Sequence, residues 1–180
     1  MKLTLIRHTS VDVPSGICYG KTDVPLAATF RSELESIRQK LTDDTFNAVF
    51  SSPLSRCTEL AKELFPERQI WIDQRLIELD FGIWEMSEWN EIFESTEGKN
   101  WFADYAHSGC PGGESFTDLI KRGKTFIDDL KQTNFQHVVV FTHAGVIRAL
   151  MCLILHKTPE EAFNTPLSYG QIIPFNLQRS

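Results

Sequence analysis

Two imidazoles and two guanidiniums stand where apolar runs of this chain give way to polar residues. The run Leu3-Thr4-Leu5-Ile6 ends in Arg7 and His8, a second run ends in Ser51-Ser52-Pro53 with Arg56 close behind, and Val138-Val139-Val140-Phe141 ends in Thr142 and His143. Buried strands of open α/β sheets read as near-continuous apolar runs, and such sheets bind ligands beyond the carboxyl ends of their strands. One Arg-His pair is ordinarily a solvated strand end, but three strand ends of this kind can converge on one crevice. That set of side chains suits a phosphoryl group. Arginine forks match its oxygens, cations stabilise their charge during transfer, and a neutral imidazole is a nucleophile toward phosphorus. No Gly-x-x-x-x-Gly-Lys loop accompanies the set, which argues against a nucleoside triphosphate substrate.

The elements that must position these residues follow from periodicity and punctuation. After the first strand, residues 9–26 carry Pro14, Gly16, Gly20 and Pro25 with little periodicity and read as a long loop, a feature usually tied to function. Phe30, Leu34, Ile37 and Leu41 recur at helical spacing and predict an amphipathic helix over 27–41. A strand over 46–50 leads into Ser51-Ser52-Pro53, which reads as a hydroxyl cap with proline at the first helical position, and a helix over 53–65 carries Arg56 in its first turn. A third strand spans 70–72. Residues 84–112 read as a lid or subdomain, with short helices within 86–105. Ser115 and Asp118 make a capping-box start for a helix bearing Phe116, Leu119, Ile120, Ile127 and Leu130. Residues 137–142 form the clearest strand, a helix over 146–155 follows, and a short strand over 171–175 closes the chain. Strands alternating with helices predict a three-layer α/β/α fold with a largely parallel central sheet and right-handed crossovers.

With 180 residues, 42% hydrophobic and 23% charged, the chain suffices for one well-buried core and not two, so 1–180 reads as a single domain. The net charge of −6 argues against nucleic acid or anionic membrane as partners and requires any anion site to be local and concave. Cys18, Cys57, Cys110 and Cys152 are scattered, with no zinc or redox spacing, and fit free thiols in a reducing, cytoplasmic compartment. Arg7 interrupts the first apolar stretch too early for a signal-peptide core. The longest apolar run, from Ala149 to Leu155, falls far short of a membrane span.

Taken in order, Arg7-His8, Ser51-Ser52-Pro53-Leu54-x-Arg56-Cys57, Leu76-x-Glu78-x-Asp80-Phe81-Gly82-x-Trp84-Glu85, Gly112-Gly113-Glu114-Ser115 and Thr142-His143-Ala144-Gly145-Val146 resemble the ordered motifs of the histidine phosphatase (phosphoglycerate mutase-like) superfamily. The loop Gly16-x-Cys18-Tyr19-Gly20-Lys21-Thr22-Asp23-Val24-Pro25-Leu26 is similar to that of α-ribazole-5′-phosphate phosphatases, which act in cobamide nucleotide-loop assembly. The resemblance implies a phosphoglycerate mutase-like fold and a small-molecule phosphomonoester hydrolysed through a phosphohistidine, without cofactor or metal. It makes His8 the nucleophile and Glu78 the proton donor and later base. Arg7, Arg56 and His143 would hold the phosphoryl oxygens, and Tyr19, Lys21, Thr22, Glu114 and Ala144 are weaker substrate-facing candidates, with Arg75 as readily structural. Thr9 and Ala144 stand where relatives commonly have glycine, and Pro14 where many have asparagine. His107, His137 and His156 lack motif partners and read as surface or packing residues.

Lys21 is the only cation of the loop, so a glycerate carboxylate looks undersupplied, whereas Tyr19, Trp84 and Trp101 offer ring faces to a flat base. Alternatives are a broad-specificity phosphatase, a mutase moving phosphate between hydroxyls, a metallohydrolase using His8, His143, Asp12 and Glu78, and a phospho-ligand module without turnover. The metallohydrolase lacks His-x-His or His-Glu-x-x-His spacing. Oligomeric state leaves no mark in the sequence.

Overall fold

The computed structural model describes residues 1–41 and 45–178. Its architecture grows from two apolar runs that pair side by side: β1 (Lys2–Arg7) and β4 (His137–Thr142) are parallel, with Arg7 opposite Thr142. β2 (Ala48–Ser51) flanks β4 on its other side with Ser51 opposite Phe141, β3 (Ile70–Ile72) lies beyond it, and β5 (Ile172–Asn176) runs antiparallel to β1. The sheet order is therefore β3-β2-β4-β1-β5.

The alternation of side chains divides the core into two. Leu3, Leu5, Val138 and Val140 share one cluster with Phe116, Leu119 and Phe126 of α5 (Phe116–Lys131) and Ile147 and Leu150 of α6 (Ala144–Leu155). Ile6, Val49, Val139 and Phe141 pack on the opposite face against Phe30, Leu34 and Ile37 of α1 (Phe30–Lys40) and Cys57, Leu60 and Ala61 of α2 (Ser55–Leu64). Helices thus cover both faces, and the fold is the expected three-layer α/β arrangement with one antiparallel edge strand. All described residues of β4 are buried, which is why its run shows no polar alternation.

Boundaries shift where tertiary contacts outweigh local signals. α2 begins at Ser55 rather than at Pro53, and neither Ser51 nor Ser52 caps it. Asp23 of the long loop does so, its Oδ1 accepting from the Ser55 amide and hydroxyl at 2.9 Å each. α1 starts at Phe30, three residues late, and β2 at Ala48, with Phe46 instead packed edge-on against Phe65. α6 starts two residues early, which makes His143 its N-cap. The capping box of α5 is present, with Ser115 and Asp118 exchanging backbone bonds. Two short helices, α3 (Trp89–Glu94) and α4 (Thr96–Ala103), occupy the aromatic-rich stretch, and their Ile92 and Trp101 join the sheet's own core cluster. One further helix, α7 (Pro159–Phe163), opens with a Thr158–Glu161 capping box that sequence reading passed over. All four cysteines are free. No described helix is long and apolar enough to cross a membrane.

Candidate active site

The level registers of β2, β4 and β1 bring the residues just past their carboxyl ends together. His8 is 2% exposed, and its Nδ1 lies 2.7 Å from the carbonyl oxygen of Thr9. A carbonyl only accepts, so Nδ1 carries the proton and Nε2 keeps a free lone pair. Burial above all, then the guanidiniums of Arg56 and Arg7, lower the His8 pKa from 6.5 to about 3, against the opposing Thr9 bond. The imidazole is therefore neutral across the physiological range.

His143 lies beside it, ring centroids 5.1 Å apart and tilted by 60°. Arg56 Nε donates to His143 Nδ1 at 3.2 Å, which leaves Nε2–H to donate to Ser52 Oγ at 2.7 Å. Burial first, then Arg56, hold the His143 pKa well below its ordinary value. Arg56 itself is wholly buried, and its two terminal nitrogens donate to the carbonyls of Thr22 at 2.9 Å and Gly20 at 2.6 Å. Its position in the first turn of α2 thus serves to clamp the long loop as well as to face the crevice.

The same loop is gathered by a residue quoted within a motif but given no role, Glu85. Its carboxylate accepts from the amides of Gly20 and Lys21 at 3.0 Å each, Thr22 at 3.2 Å and Phe81 at 3.0 Å. Gly20 permits this close approach, since a Cβ there would meet the Leu79 carbonyl at 1.9 Å.

Arg7 donates through Nη1 to the Leu167 carbonyl at 2.6 Å, while its guanidinium carbon stands 3.9 Å from the ring centroid of Tyr169. Tyr169 is another residue that sequence reasoning missed. Its ring centroid is 5.6 Å from that of His8, and its hydroxyl bonds to that of Tyr19 at 2.6 Å. It comes from a connection with no motif, so no local signal could have found it.

Glu78 reaches the site from the segment after β3. Its Oε2 accepts from the Gly145 amide at 3.0 Å and its Oε1 from the Leu79 amide at 2.9 Å, so the carboxylate sits against the first turn of α6. A Cβ at position 145 would lie 2.3 Å from Glu78 Oε1, so a larger residue there would displace the Glu78 carboxylate from this position.

The weaker candidates separate. Tyr19 and Ala144 line, with Glu78, a cavity of about 160 Å³ walled by Trp89, Trp101, Phe116 and Phe163. Lys21 is instead ion-paired with Asp80 at 2.6 Å, and Thr22 faces Arg56 and Glu85 through its backbone. Glu114 holds Arg122 Nε at 2.9 Å and the Asp80 amide at 3.1 Å, a brace for the 78–82 segment. Arg75 pairs with Asp73 at 2.7 Å and Asp129 at 2.5 Å. Trp84, 6% exposed, is a core residue and not among those lining the cavity, contrary to its expected use as a stacking face. Among the described residues, no three His, Cys, Asp or Glu side chains are grouped to hold a metal ion.

A buried, neutral imidazole with a fixed free lone pair, flanked by two guanidiniums, can accept and transfer a phosphoryl group. The family model of the histidine phosphatase superfamily (branch 1) matches residues 3–180, and the chain belongs to that superfamily. It is a histidine phosphatase. The adenosylcobalamin/alpha-ribazole phosphatase of Escherichia coli K12 is 28% identical over 177 residues, covering 94% of this chain and 87% of that protein. Phosphoserine phosphatase 1 of Hydrogenobacter thermophilus is 27% identical over 161 residues, covering 86% of this chain and 76% of that one. The crystal structure of the alpha-ribazole phosphatase from Shigella flexneri superposes with a TM-score of 0.90 at 25% identity, over 99% of this chain and 92% of that chain.

Proposed function

We propose that this phosphatase hydrolyses α-ribazole 5′-phosphate to α-ribazole and phosphate, with His8 as nucleophile. The observation that carries the mechanism is the Nδ1–H bond to Thr9, which leaves Nε2 unprotonated beside Arg7 and Arg56. Nε2 attacks phosphorus in line and the ester oxygen departs, taking a proton from Glu78. Water, giving its proton back to Glu78, then attacks the phosphohistidine and releases phosphate. Arg7 and Arg56 stabilise charge on the phosphoryl oxygens through both steps. His143 orients Arg56 through its Nδ1 and faces the same oxygens. No cofactor enters the reaction, and nucleic acid and membrane are not among the partners.

The similarity of the 16–26 loop and the aromatic cavity beside Glu78 support the ribazole ester as substrate. One observation favours a second reading, a carboxylate-bearing ester such as phosphoserine: Arg148 lines the same cavity, and its Nε is buried without a partner. A competition assay tests the choice. The expected outcome is a higher kcat/KM for α-ribazole 5′-phosphate than for phosphoserine, 3-phosphoglycerate or ribose 5-phosphate, with an acid-labile, alkali-stable phosphoenzyme trapped on quenching and absent in His8→Ala. Undiminished turnover in His8→Ala overturns the mechanism, and a preference for phosphoserine transfers the assignment to the second reading.

A further inference from the structure

Two tyrosines from distant parts of the chain meet beside the nucleophile. Tyr169 places its ring centroid 5.6 Å from that of His8 and 3.9 Å from the guanidinium carbon of Arg7. Tyr19 holds its ring 5.5 Å from the guanidinium carbon of Arg56, and the two hydroxyls bond at 2.6 Å. Contacts therefore run without a break from Arg7 through Tyr169 and Tyr19 to Arg56, past a His8 that is 2% exposed. Each arginine is also tied to the backbone next to its own tyrosine: Arg7 donates to the Leu167 carbonyl and Arg56 to that of Gly20.

This bridge stands between two places that one ester must reach at once. Glu78 and Tyr19 line the cavity of about 160 Å³, whereas His8, Arg7 and Arg56 do not. An ester whose leaving oxygen lies near Glu78 and whose phosphorus meets His8 Nε2 needs continuous space across that boundary, and Tyr19 belongs to both sides of it. The backbone around the bridge is pinned. Gly170 N–H donates to the His8 carbonyl and Arg7 N–H to that of Gln171, at 3.1 Å each, and Cys18 N–H donates to the Ser87 carbonyl at 2.8 Å. The side chain of Tyr169, a residue 39% exposed, has solvent to swing into. Exposed side chains change rotamer far faster than loops rearrange, so rotation of this one ring is the easiest way to open the boundary.

We propose that Tyr169 and Tyr19 form a gate over His8, with Tyr169 as the moving leaf and Tyr19 as the post, and that breaking their hydroxyl bond opens the nucleophile to the ester. The proposal rests on the phosphatase reading above and adds how His8 is reached. When the leaf closes, the Tyr169 ring returns to the Arg7 guanidinium. Cation–π contact uses the face of a guanidinium and hydrogen bonding its edge, so the closed leaf holds Arg7 in place while leaving N–H groups for phosphoryl oxygens. Tyr169 is thus a positioning residue for Arg7 as well as a barrier.

The test reads access to His8 without turnover. Diethyl pyrocarbonate acylates a neutral imidazole nitrogen, and mass spectrometry of the peptide carrying His8 gives the rate on the intact, folded protein. Tyr169→Phe and Tyr19→Phe each remove one hydroxyl of the bond and should speed acylation of His8 by about threefold or more over wild type. The double variant should match the single ones, because all three lack the same bond. Tyr169→Leu, which also takes the ring from Arg7, should lower kcat for 4-nitrophenyl phosphate by about fivefold relative to Tyr169→Phe. Circular dichroism and melting temperature identify a variant that fails to fold, in which case Tyr169→Met replaces Tyr169→Leu. Acylation unchanged in both single variants, or single effects that multiply in the double, overturns the gate. Equal kcat in Tyr169→Leu and Tyr169→Phe overturns the positioning of Arg7. Absence of a wild-type phosphoenzyme with every ester, while the hydroxyl variants still acylate faster, strikes instead at the phosphatase reading and leaves the gate standing.

Discussion

His8 and Glu78 differ in what the backbone does to them. One carbonyl fixes the tautomer of His8 and leaves its second nitrogen free, whereas two amides fix both oxygens of Glu78. The geometry therefore holds the carboxyl in place, and on the proposed mechanism it is the group that gives a proton to the leaving oxygen. Glu78→Gln keeps the shape and one of the two amide bonds while removing that proton. We expect a fall of about 100-fold or more in kcat for esters of poor leaving groups, with a smaller loss for 4-nitrophenyl phosphate. A Brønsted plot against leaving-group pKa measures it, and equal losses across the series would remove Glu78 from the acid role.

The loop over 16–26 illustrates how an element without regular structure becomes a rigid part of a site. Arg56 binds two of its carbonyls, Glu85 three of its amides, and Asp23 turns back to cap the helix that carries Arg56. Cap, loop and guanidinium thus form a closed circuit: loosening the cap also loosens the loop that positions Arg56. Loss of an N-cap side chain typically costs about 1 kcal/mol, or roughly 2–4 °C in Tm for a chain of this size. Asp23→Ala should show that shift together with a lower kcat/KM, and Asp23→Asn should recover much of both. Thermal melts and steady-state kinetics check the pair, and a change in Tm alone would show that the circuit is not closed functionally.

For the molecule as a whole, the site is a liability in acid. His8 is held neutral down to about pH 3 in the folded state but takes up a proton near 6.5 when unfolded. The unfolded state therefore binds more protons below pH 6.5, and stability contributed by neutral His8 is progressively lost as pH falls from about 6.5 toward 3. At pH 5 this amounts to about 2 kcal/mol from His8 alone, on the scale of 1.36 kcal/mol per pKa unit. His143, also held below its ordinary value, adds in the same direction. Urea unfolding at pH 7 and pH 5 should show the loss, and His8→Gln should show a shallower pH dependence. An identical dependence in that variant would mean that His8 is not the group being titrated.

Much of this was legible in the sequence because it is local or periodic. The apolar runs of β1 and β4 announced buried strands, the stripe from Phe30 to Ile37 announced α1, and Ser115 with Asp118 announced the start of α5, since each signal depends on neighbours within a few positions. The residues that gather at the strand ends could be named because parallel strands present their carboxyl ends to one side. The sequence alone also determined the family, through motifs whose order carries more information than any one of them. What only the tertiary structure decided are pairings across long chain separations. These are Asp23 as the cap of α2, Tyr169 under Arg7, Lys21 drawn off by Asp80, Trp84 buried in the core, and Arg148 with Trp101 facing one cavity. None of these has a spacing rule, because a contact between distant residues depends on how whole elements pack and not on the chain between them.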